Sequence, residues 1–187
     1  MFKNSLITQG YTLIELVATI AITGTLLALA VPSFNAAITS SRITSYANEF
    51  VSALNLARSE AVRRGISVTM HKVDSYSSCT KNNVVANWEN GWDVFTDMDN
   101  DGKCDVGDEL IRSYPSLAND YTLINNGLYN KTVTYFSNGL SSVAGTTSSE
   151  DVFRLCNGTD ISTSRAISIE LVGRVHVSPP GSAPVCT

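Results

Sequence analysis

Gly10-Tyr11-Thr12-Leu13-Ile14-Glu15 is followed at once by an uncharged apolar run from Leu16 to Val31. At about 1.5 Å per residue, a helix from Tyr11 to Phe34 spans roughly 36 Å, which is enough to cross a bilayer. Glu15 lies at the edge of the run, where a carboxylate is costly in hydrocarbon. Because acidic residues within membrane spans are usually functional, the run predicts a membrane helix with a functional glutamate near its start.

The segment before this run is short and polar, from Met1 to Gln9, with Lys3 as its one basic residue. A secretory signal places its cleavage site after the apolar core. Here the candidate junction, Gly10–Tyr11, precedes the core. Cleavage there is therefore expected to leave the apolar helix on the mature protein.

This arrangement resembles the class III signal of type IV pilins and type II secretion pseudopilins, although Tyr11 stands where Phe is usual. The resemblance implies that a prepilin peptidase cuts after Gly10 and that Tyr11 is N-methylated. It also implies that Glu15 serves assembly by pairing with the N-terminal amine of a neighbouring subunit. The alternative is an ordinary anchor whose glutamate reaches the headgroup zone. The expected domains are a leader peptide (1–10), a transmembrane assembly helix (11–34) and a periplasmic α+β pseudopilin domain (35–187).

After Phe34 the sequence becomes amphipathic. Apolar residues recur at alternating spacings of four and three, which places them on one helix face; they are Ile43, Ala47, Phe50, Leu54, Ala57 and Ala61. Gly65 can close the helix in a left-handed cap, and Pro32 is expected to kink it. One long helix is predicted from about Tyr11 to Arg64.

Beyond Gly65, short β-prone segments alternate with Gly, Asn, Ser and Asp. The predicted strands are Ile66–Lys72, Trp92–Thr96, Glu109–Tyr114, Val133–Phe136, Val152–Cys156, Ala166–Val172 and Val175–Val177. The second and third flank an acidic loop and should form a hairpin, while Trp88 and Trp92 are expected to pack in the core or on the hairpin. The fold class is thus α+β and pilin-like. Its long N-terminal helix, membrane-spanning in one half and amphipathic in the other, packs on an antiparallel sheet.

Several segments resemble the GspH/FimT (FimT/FimU) branch of minor pilins. They are Asn48-Glu49-Phe50 through Ala57-Arg58-Ser59-Glu60-Ala61 to Arg64-Gly65, then Asn90-Gly91-Trp92-Asp93-Val94-Phe95-Thr96-Asp97, and Gly173-Arg174. The resemblance implies a minor pilin of a type IV pilus, acting in assembly or priming with other minor and major pilins. It implies an inner-membrane protein of a Gram-negative bacterium, with a periplasmic domain that reaches the pilus after assembly. The alternatives are a FimT-type DNA-binding subunit for natural transformation and a GspH-type pseudopilin of type II secretion.

Charge and cysteine content limit the partners and the compartment. The formal net charge of −4 makes the protein a poor general binder of nucleic acid, so any such binding needs a local patch. Four cysteines in an outward-facing domain suit disulfides in an oxidising compartment. Among the three connectivities, the neighbour pairs Cys79–Cys104 and Cys156–Cys186 are preferred.

Two further groups of residues are candidate binding sites. Asp97, Asp99 and Asp101, followed by Gly102, match the start of an EF-hand loop. Asp105 and Asp108 follow at its ninth and twelfth positions, which makes calcium the one candidate cofactor; the alternative is an acidic hairpin tip. Relatives that bind double-stranded DNA carry Gly-Arg-x-Arg near the C-terminus. Arg174 matches its first arginine and His176 replaces the second, with Arg154 and Arg165 as further candidates. The alternative is that Arg174 ends a strand and His176 is a solvated edge residue.

Catalysis has little support in the sequence. His71 and His176 are the two histidines. The sequence contains no nucleophile elbow and no phosphate-binding loop, and no glycine-rich fingerprint follows a predicted strand. The protein is therefore not expected to be an enzyme, and no catalytic residue is predicted.

Overall fold

The computed structural model describes residues 10–73, 87–125, 127, 129, 131–142, 152–181 and 186. Helix α1 (Leu13–Arg64) comes first, and a single 3-10 turn lies at Trp88–Asn90. Eight strands follow α1 within the described residues: β1 (Val68–Lys72), β2 (Trp92–Thr96), β3 (Leu110–Tyr114), β4 (Tyr121–Ile124), β5 (Thr132–Tyr135), β6 (Val152–Asn157), β7 (Asp160–Ile169) and β8 (Val175–Val177).

Helix α1 is a single element of 52 residues that continues through Pro32. At its C-terminal end Gly65 adopts φ +71°, and its N–H donates to the Ala61 carbonyl at 3.0 Å. The left-handed cap predicted there is confirmed. The chain divides into two compact units, one up to Thr39 and one from Ser40 onward.

The first unit carries the apolar half of α1. Its large apolar side chains are exposed, among them Leu13, Ile14, Leu16, Val17, Ile20, Leu26, Leu27, Leu29 and Phe34. Of the described helices, α1 alone is long and apolar enough to cross a membrane. A run of exposed apolar residues this long needs an apolar environment, because water penalises each of them.

The second unit contains two antiparallel sheets, where the sequence predicted one. Sheet A has the order β3-β2-β1-β5, and sheet B has the order β4-β6-β7-β8. The predicted hairpin is confirmed, because β2 and β3 pair antiparallel on either side of the acidic loop. Strand β4 was not predicted, because four residues are too few for alternation to stand out from a loop.

The boundaries of β7 also differ from the prediction. The strand was expected at Ala166–Val172 but begins at Asp160 and ends at Ile169. Its early start follows from pairing, since Asn157 and Asp160 close a tight hairpin with β6. Its early end follows from a turn in which the Gly173 N–H donates to the Glu170 carbonyl at 2.8 Å.

One hydrophobic core joins the second half of α1 to both sheets. The predicted stripe from Ile43 to Ala61 is buried throughout, and Phe50 is at its centre. The Phe50 ring lies 5.1 Å from Trp92 on sheet A and 4.7 Å from Phe153 on sheet B, centroid to centroid. Trp88 packs on the same ring at 5.7 Å, so both tryptophans are core residues, as predicted.

A disulfide joins Cys156 at the end of β6 to Cys186, in agreement with one of the two preferred pairings. Cys104, in the acidic loop, is buried and disulfide-bonded. Its predicted partner, Cys79, lies outside the described residues. A cross-link between β6 and the C-terminus restrains the last segment of the chain in the unfolded state.

The face of sheet A that points away from Val68 and Met70 carries polar residues that are buried. The His71 ring lies 4.7 Å from the Phe95 ring between centroids, with the two ring planes tilted by 56°. The His71 Nε2 lies 3.9 Å from Oδ2 of Asp93. Burial lowers the pKa of His71 to about 4 and raises the pKa of Asp93. The separation is too long for a hydrogen bond, and burial disfavours the charged form of both groups.

We expect Phe50→Ala to lower the free energy of unfolding by about 3–5 kcal/mol, because the cavity would open between both sheets. Denaturant unfolding of the full chain in detergent micelles, followed by circular dichroism, measures it. Ser52→Ala, on the exposed side of α1, should change it by less than about 0.5 kcal/mol. A cost below about 1 kcal/mol for Phe50→Ala would contradict its central position in the core.

We expect the wild type to lose stability relative to His71→Gln as the pH falls from 6.5 to 4. The unfolded chain takes up a proton near pH 6.5, whereas burial prevents folded His71 from doing so until about pH 4. The difference should reach about 1–3 kcal/mol, since one pKa unit corresponds to about 1.4 kcal/mol. Unfolding curves at several pH values measure this difference. If the difference between the two proteins did not change with pH, the low pKa of His71 would be refuted.

Candidate functional site

The N-terminus of α1 is closed by a reciprocal pair of side chains. The Glu15 Oε2 accepts hydrogen bonds from the Thr12 N–H and the Thr12 hydroxyl, both at 3.0 Å. The Glu15 N–H in turn donates to Thr12 Oγ1 at 3.3 Å. This is a capping box, in which Thr and Glu three residues apart satisfy backbone donors that the helix leaves free. Glu15 thus caps its own helix, which the sequence analysis did not consider.

The junction predicted for leader cleavage lies just outside this capped end. Gly10 and Tyr11 precede the helix, and Tyr11 is 89 % exposed. Residues 1–9 are outside the described residues. Cleavage after Gly10, methylation of Tyr11 and the 1–10, 11–34 and 35–187 domain boundaries stay predictions.

The acidic loop between β2 and β3 brings three of its five candidate ligands together. One carboxylate oxygen from each of Asp97, Asp99 and Asp101 lies within 4.8 Å of the others. Asp105 and Asp108 are not in this cluster. Asp108 instead stabilises the loop backbone. Its Oδ1 accepts a hydrogen bond from the Met98 N–H, and its Oδ2 accepts one from the Asp105 N–H.

Asp97 is buried, unlike the other acids of the loop. Its Oδ2 accepts from the Thr69 hydroxyl at 2.6 Å and from the Gly102 N–H at 3.2 Å. Burial raises the pKa of Asp97, while the hydrogen bonds from Thr69 and Gly102 act in the opposite direction. By contrast, the Lys103 ammonium lies 2.5 Å from Oδ2 of Asp101 and lowers the pKa of that carboxyl.

The end of the acidic loop is tied to the end of α1. Arg64 bridges Glu60 at 2.7 Å and Glu109 at 2.6 Å. Hydrogen bonds from Arg64 lower the pKa of Glu109, and those from Arg63 and Arg64 lower the pKa of Glu60. The helix dipole favours arginines at this end, and Arg64 also holds the end of the loop against the helix.

The candidate DNA-binding residues are divided between the two faces of sheet B. Arg165 pairs with buried Leu155, and its guanidinium donates to the Ser178 carbonyl and to Thr44 Oγ1 on α1, both at 3.3 Å. Arg154 pairs with Ala166 on the opposite face. The Arg165 side chain therefore binds α1.

His176 pairs with Ser168, which puts it on the same face as Arg154 because alternate strand residues share a face. Arg174 precedes β8, and both Arg174 and His176 are exposed. The Glu170 N–H donates to the Arg174 carbonyl at 2.8 Å. Glu170 and Arg174 are therefore joined through their backbones across the turn at Gly173.

Gly173 is required by close packing, independently of any ligand. It adopts φ +75°, and a Cβ atom there would lie 2.3 Å from the Gly139 carbonyl oxygen. Arg58 of α1 joins the same two turns, since it donates to the Gly139 carbonyl at 3.0 Å and to the Val172 carbonyl at 2.8 Å. This role of Arg58 was not predicted from the sequence. The pattern that could have indicated it is a cationic residue next to the apolar stripe of the helix.

The comparisons with known proteins agree with this architecture. A family model described as "Type II transport protein GspH" matches residues 46–173 of the 187. No curated protein sequence matches the chain. Two crystal structures of the type IV minor pilin FimU from Pseudomonas aeruginosa (strain PAO1) have a similar fold, each with 19 % sequence identity.

The structure in space group P21 has a TM-score of 0.58 and covers 79 % of this chain and 96 % of FimU. The one in P65 has a TM-score of 0.56 and covers 77 % and 99 %. At this identity the likeness establishes the α+β pilin-like fold. The family match spans more than half of the chain, from the second half of α1 to Gly173. The protein therefore belongs to the GspH family of minor pilins and pseudopilins, which are structural proteins rather than enzymes.

Proposed function

We propose that this protein is a minor pilin that is incorporated into a type IV pilus and acts in its assembly or priming. The observation that carries the proposal is the contrast within α1. Its second half is buried against both sheets, whereas its first half exposes a continuous apolar surface and carries Glu15. That first half has the composition of a membrane anchor that can also pack on the helices of neighbouring subunits.

The proposed site of action follows from the same anchor. A prepilin peptidase of the inner membrane would remove residues 1–10, and Tyr11 would then become the methylated N-terminus. The domain from Ser40 onward would lie in the periplasm of a Gram-negative bacterium, where the Cys156–Cys186 disulfide is stable. Other minor and major pilins would be its partners, and the filament would carry it to the cell surface.

Glu15 has the chemistry to join subunits. Its Oε2 is used by Thr12, and its Oε1 has no hydrogen-bond partner among the described residues. In hydrocarbon a carboxylate needs a cation. The N-terminal amine of the neighbouring subunit supplies one, while the capping box holds the Glu15 side chain in position.

The DNA-binding alternative has one observation in its favour, the exposure of Arg174 and His176. Arginine grips phosphate bidentately through its planar fork of donors, which histidine lacks. Because Arg165 contacts α1 and Glu170 adds a negative charge to the turn that contains Arg174, the local positive charge is small. Assembly is therefore the better supported role.

We expect Glu15→Ala and Glu15→Gln to leave leader cleavage intact but to reduce the amount of this subunit in sheared pili by about tenfold or more. Glutamine retains the capping box but lacks the charge, so it separates pairing from capping. Thr12→Ala is the matched control, because it weakens the cap and leaves the Glu15 charge. Mass spectrometry of the mature N-terminus and quantitative immunoblotting of pilus fractions measure both steps.

Wild-type incorporation of Glu15→Gln would contradict the pairing role. Deletion of the gene separates the alternatives. Loss of piliation or twitching supports assembly, and loss of DNA uptake with intact pili points to a DNA receptor. Loss of protein secretion alone points to a type II secretion pseudopilin.

A further inference from the structure

The acidic loop between β2 and β3 concentrates negative charge that the proposed filament role does not use. The loop, residues 97–109, contains six acids and one base, Lys103. Within this loop, carboxylate oxygens of Asp97, Asp99 and Asp101 approach one another within 4.8 Å. Like charges at this distance repel unless a proton or a cation lies among them.

Asp97 provides an observation that exposed acidic turns lack. The residue is 1 % exposed, and its carboxyl group is directed into the loop, where Oδ2 accepts from the Gly102 N–H. Its Oδ1 is buried and has no hydrogen-bond donor among the described residues. A buried carboxylate oxygen without a partner is costly, and a bound cation would remove that cost.

We propose that this loop binds one calcium ion through side-chain oxygens of Asp97, Asp99 and Asp101. The spacing of these three residues, with Gly102 next, is that of the first half of an EF-hand loop, although strands flank it here. Calcium accepts six to eight oxygen ligands in flexible geometry, so backbone carbonyls and water can complete its shell.

The donor set selects against other common ions. Zinc prefers nitrogen and thiolate ligands, and Cys104, the one cysteine of the loop, is disulfide-bonded and offers no thiolate. Magnesium demands near-octahedral geometry and gives up its water reluctantly. The three carboxylates therefore fit calcium best.

The position of the loop indicates what the ion would do. The Asp97 N–H donates to the Ser67 carbonyl before β1 at 2.9 Å, and its carboxylate accepts from Thr69 within β1. At the other end of the loop, Glu109 is bridged to Arg64 of α1. Calcium would thus join β1, the β2–β3 hairpin and the end of α1, and it would stabilise the folded domain whether or not the protein enters a pilus.

Lys103 is expected to compete with the ion. Its ammonium group lies 2.5 Å from Oδ2 of Asp101 and is about half exposed, so it can move away when calcium arrives. Its positive charge still repels the ion. Replacing Lys103 by a neutral side chain of similar length should therefore strengthen calcium binding.

Titration calorimetry with calcium chloride on the full chain in non-ionic detergent micelles tests the proposal. We expect one site with a dissociation constant of roughly 10⁻⁴–10⁻³ M, the range of extracellular calcium modules. Calcium at about 10 mM should raise the thermal midpoint by about 3–10 °C. Magnesium at the same concentration should have a clearly smaller effect.

Variants locate the site without relying on buried Asp97, whose replacement endangers folding. Asp99→Asn and Asp101→Asn should each weaken binding about tenfold or more, because a charged ligand is lost. Lys103→Met should tighten it about threefold or more. Asp120→Asn, which removes an exposed acid just before β4 of sheet B, is the matched control and should bind as the wild type does.

Three results would overturn the calcium site. One is the absence of both heat and a thermal shift at about 10 mM calcium, above the expected dissociation constant. Another is wild-type binding by both Asp99→Asn and Asp101→Asn. The third is an equal loss of binding in Asp120→Asn, which would mean diffuse attraction to an acidic surface.

Discussion

The burial of one ring, Phe50, between two sheets is the constraint on which the folded domain depends. Trp92 contacts it from sheet A and Phe153 contacts it from sheet B, while Trp88 closes a third side. The Trp88 indole N–H donates to the Tyr129 carbonyl at 3.0 Å, so its polar atom is satisfied. Because the ring belongs to the second half of α1, both sheets are positioned relative to that half of the helix.

Around this core, single side chains of α1 connect the helix to distant loops. Arg58 donates to carbonyls of the turns at Gly139 and Val172, and Arg64 bridges Glu109 at the end of the acidic loop. Buried backbone carbonyls need donors, and a long arginine can supply several at once. The turns at Gly139 and Val172 and the acidic loop are therefore tied to the second half of α1.

Periodicity accounts for what sequence analysis predicted well. The long helix, its buried stripe, its Gly65 cap and the β2–β3 hairpin follow from local patterns, which need no knowledge of distant contacts. The separation into two sheets and the short strand β4 were missed. They depend on pairing between segments far apart in the chain, such as β4 with β6. The single-sheet prediction was wrong for this reason.

By itself the sequence determined the anchor, the class of fold and the residue types at each candidate site, because apolar runs and spacings are local properties. The tertiary structure alone decided which of those residues meet. It turned Arg165 toward α1, away from the face of Arg154 and His176. It also buried Asp97 beside exposed Asp99 and Asp101. Which face a strand residue occupies is set by register, and burial is set by the elements packed over it.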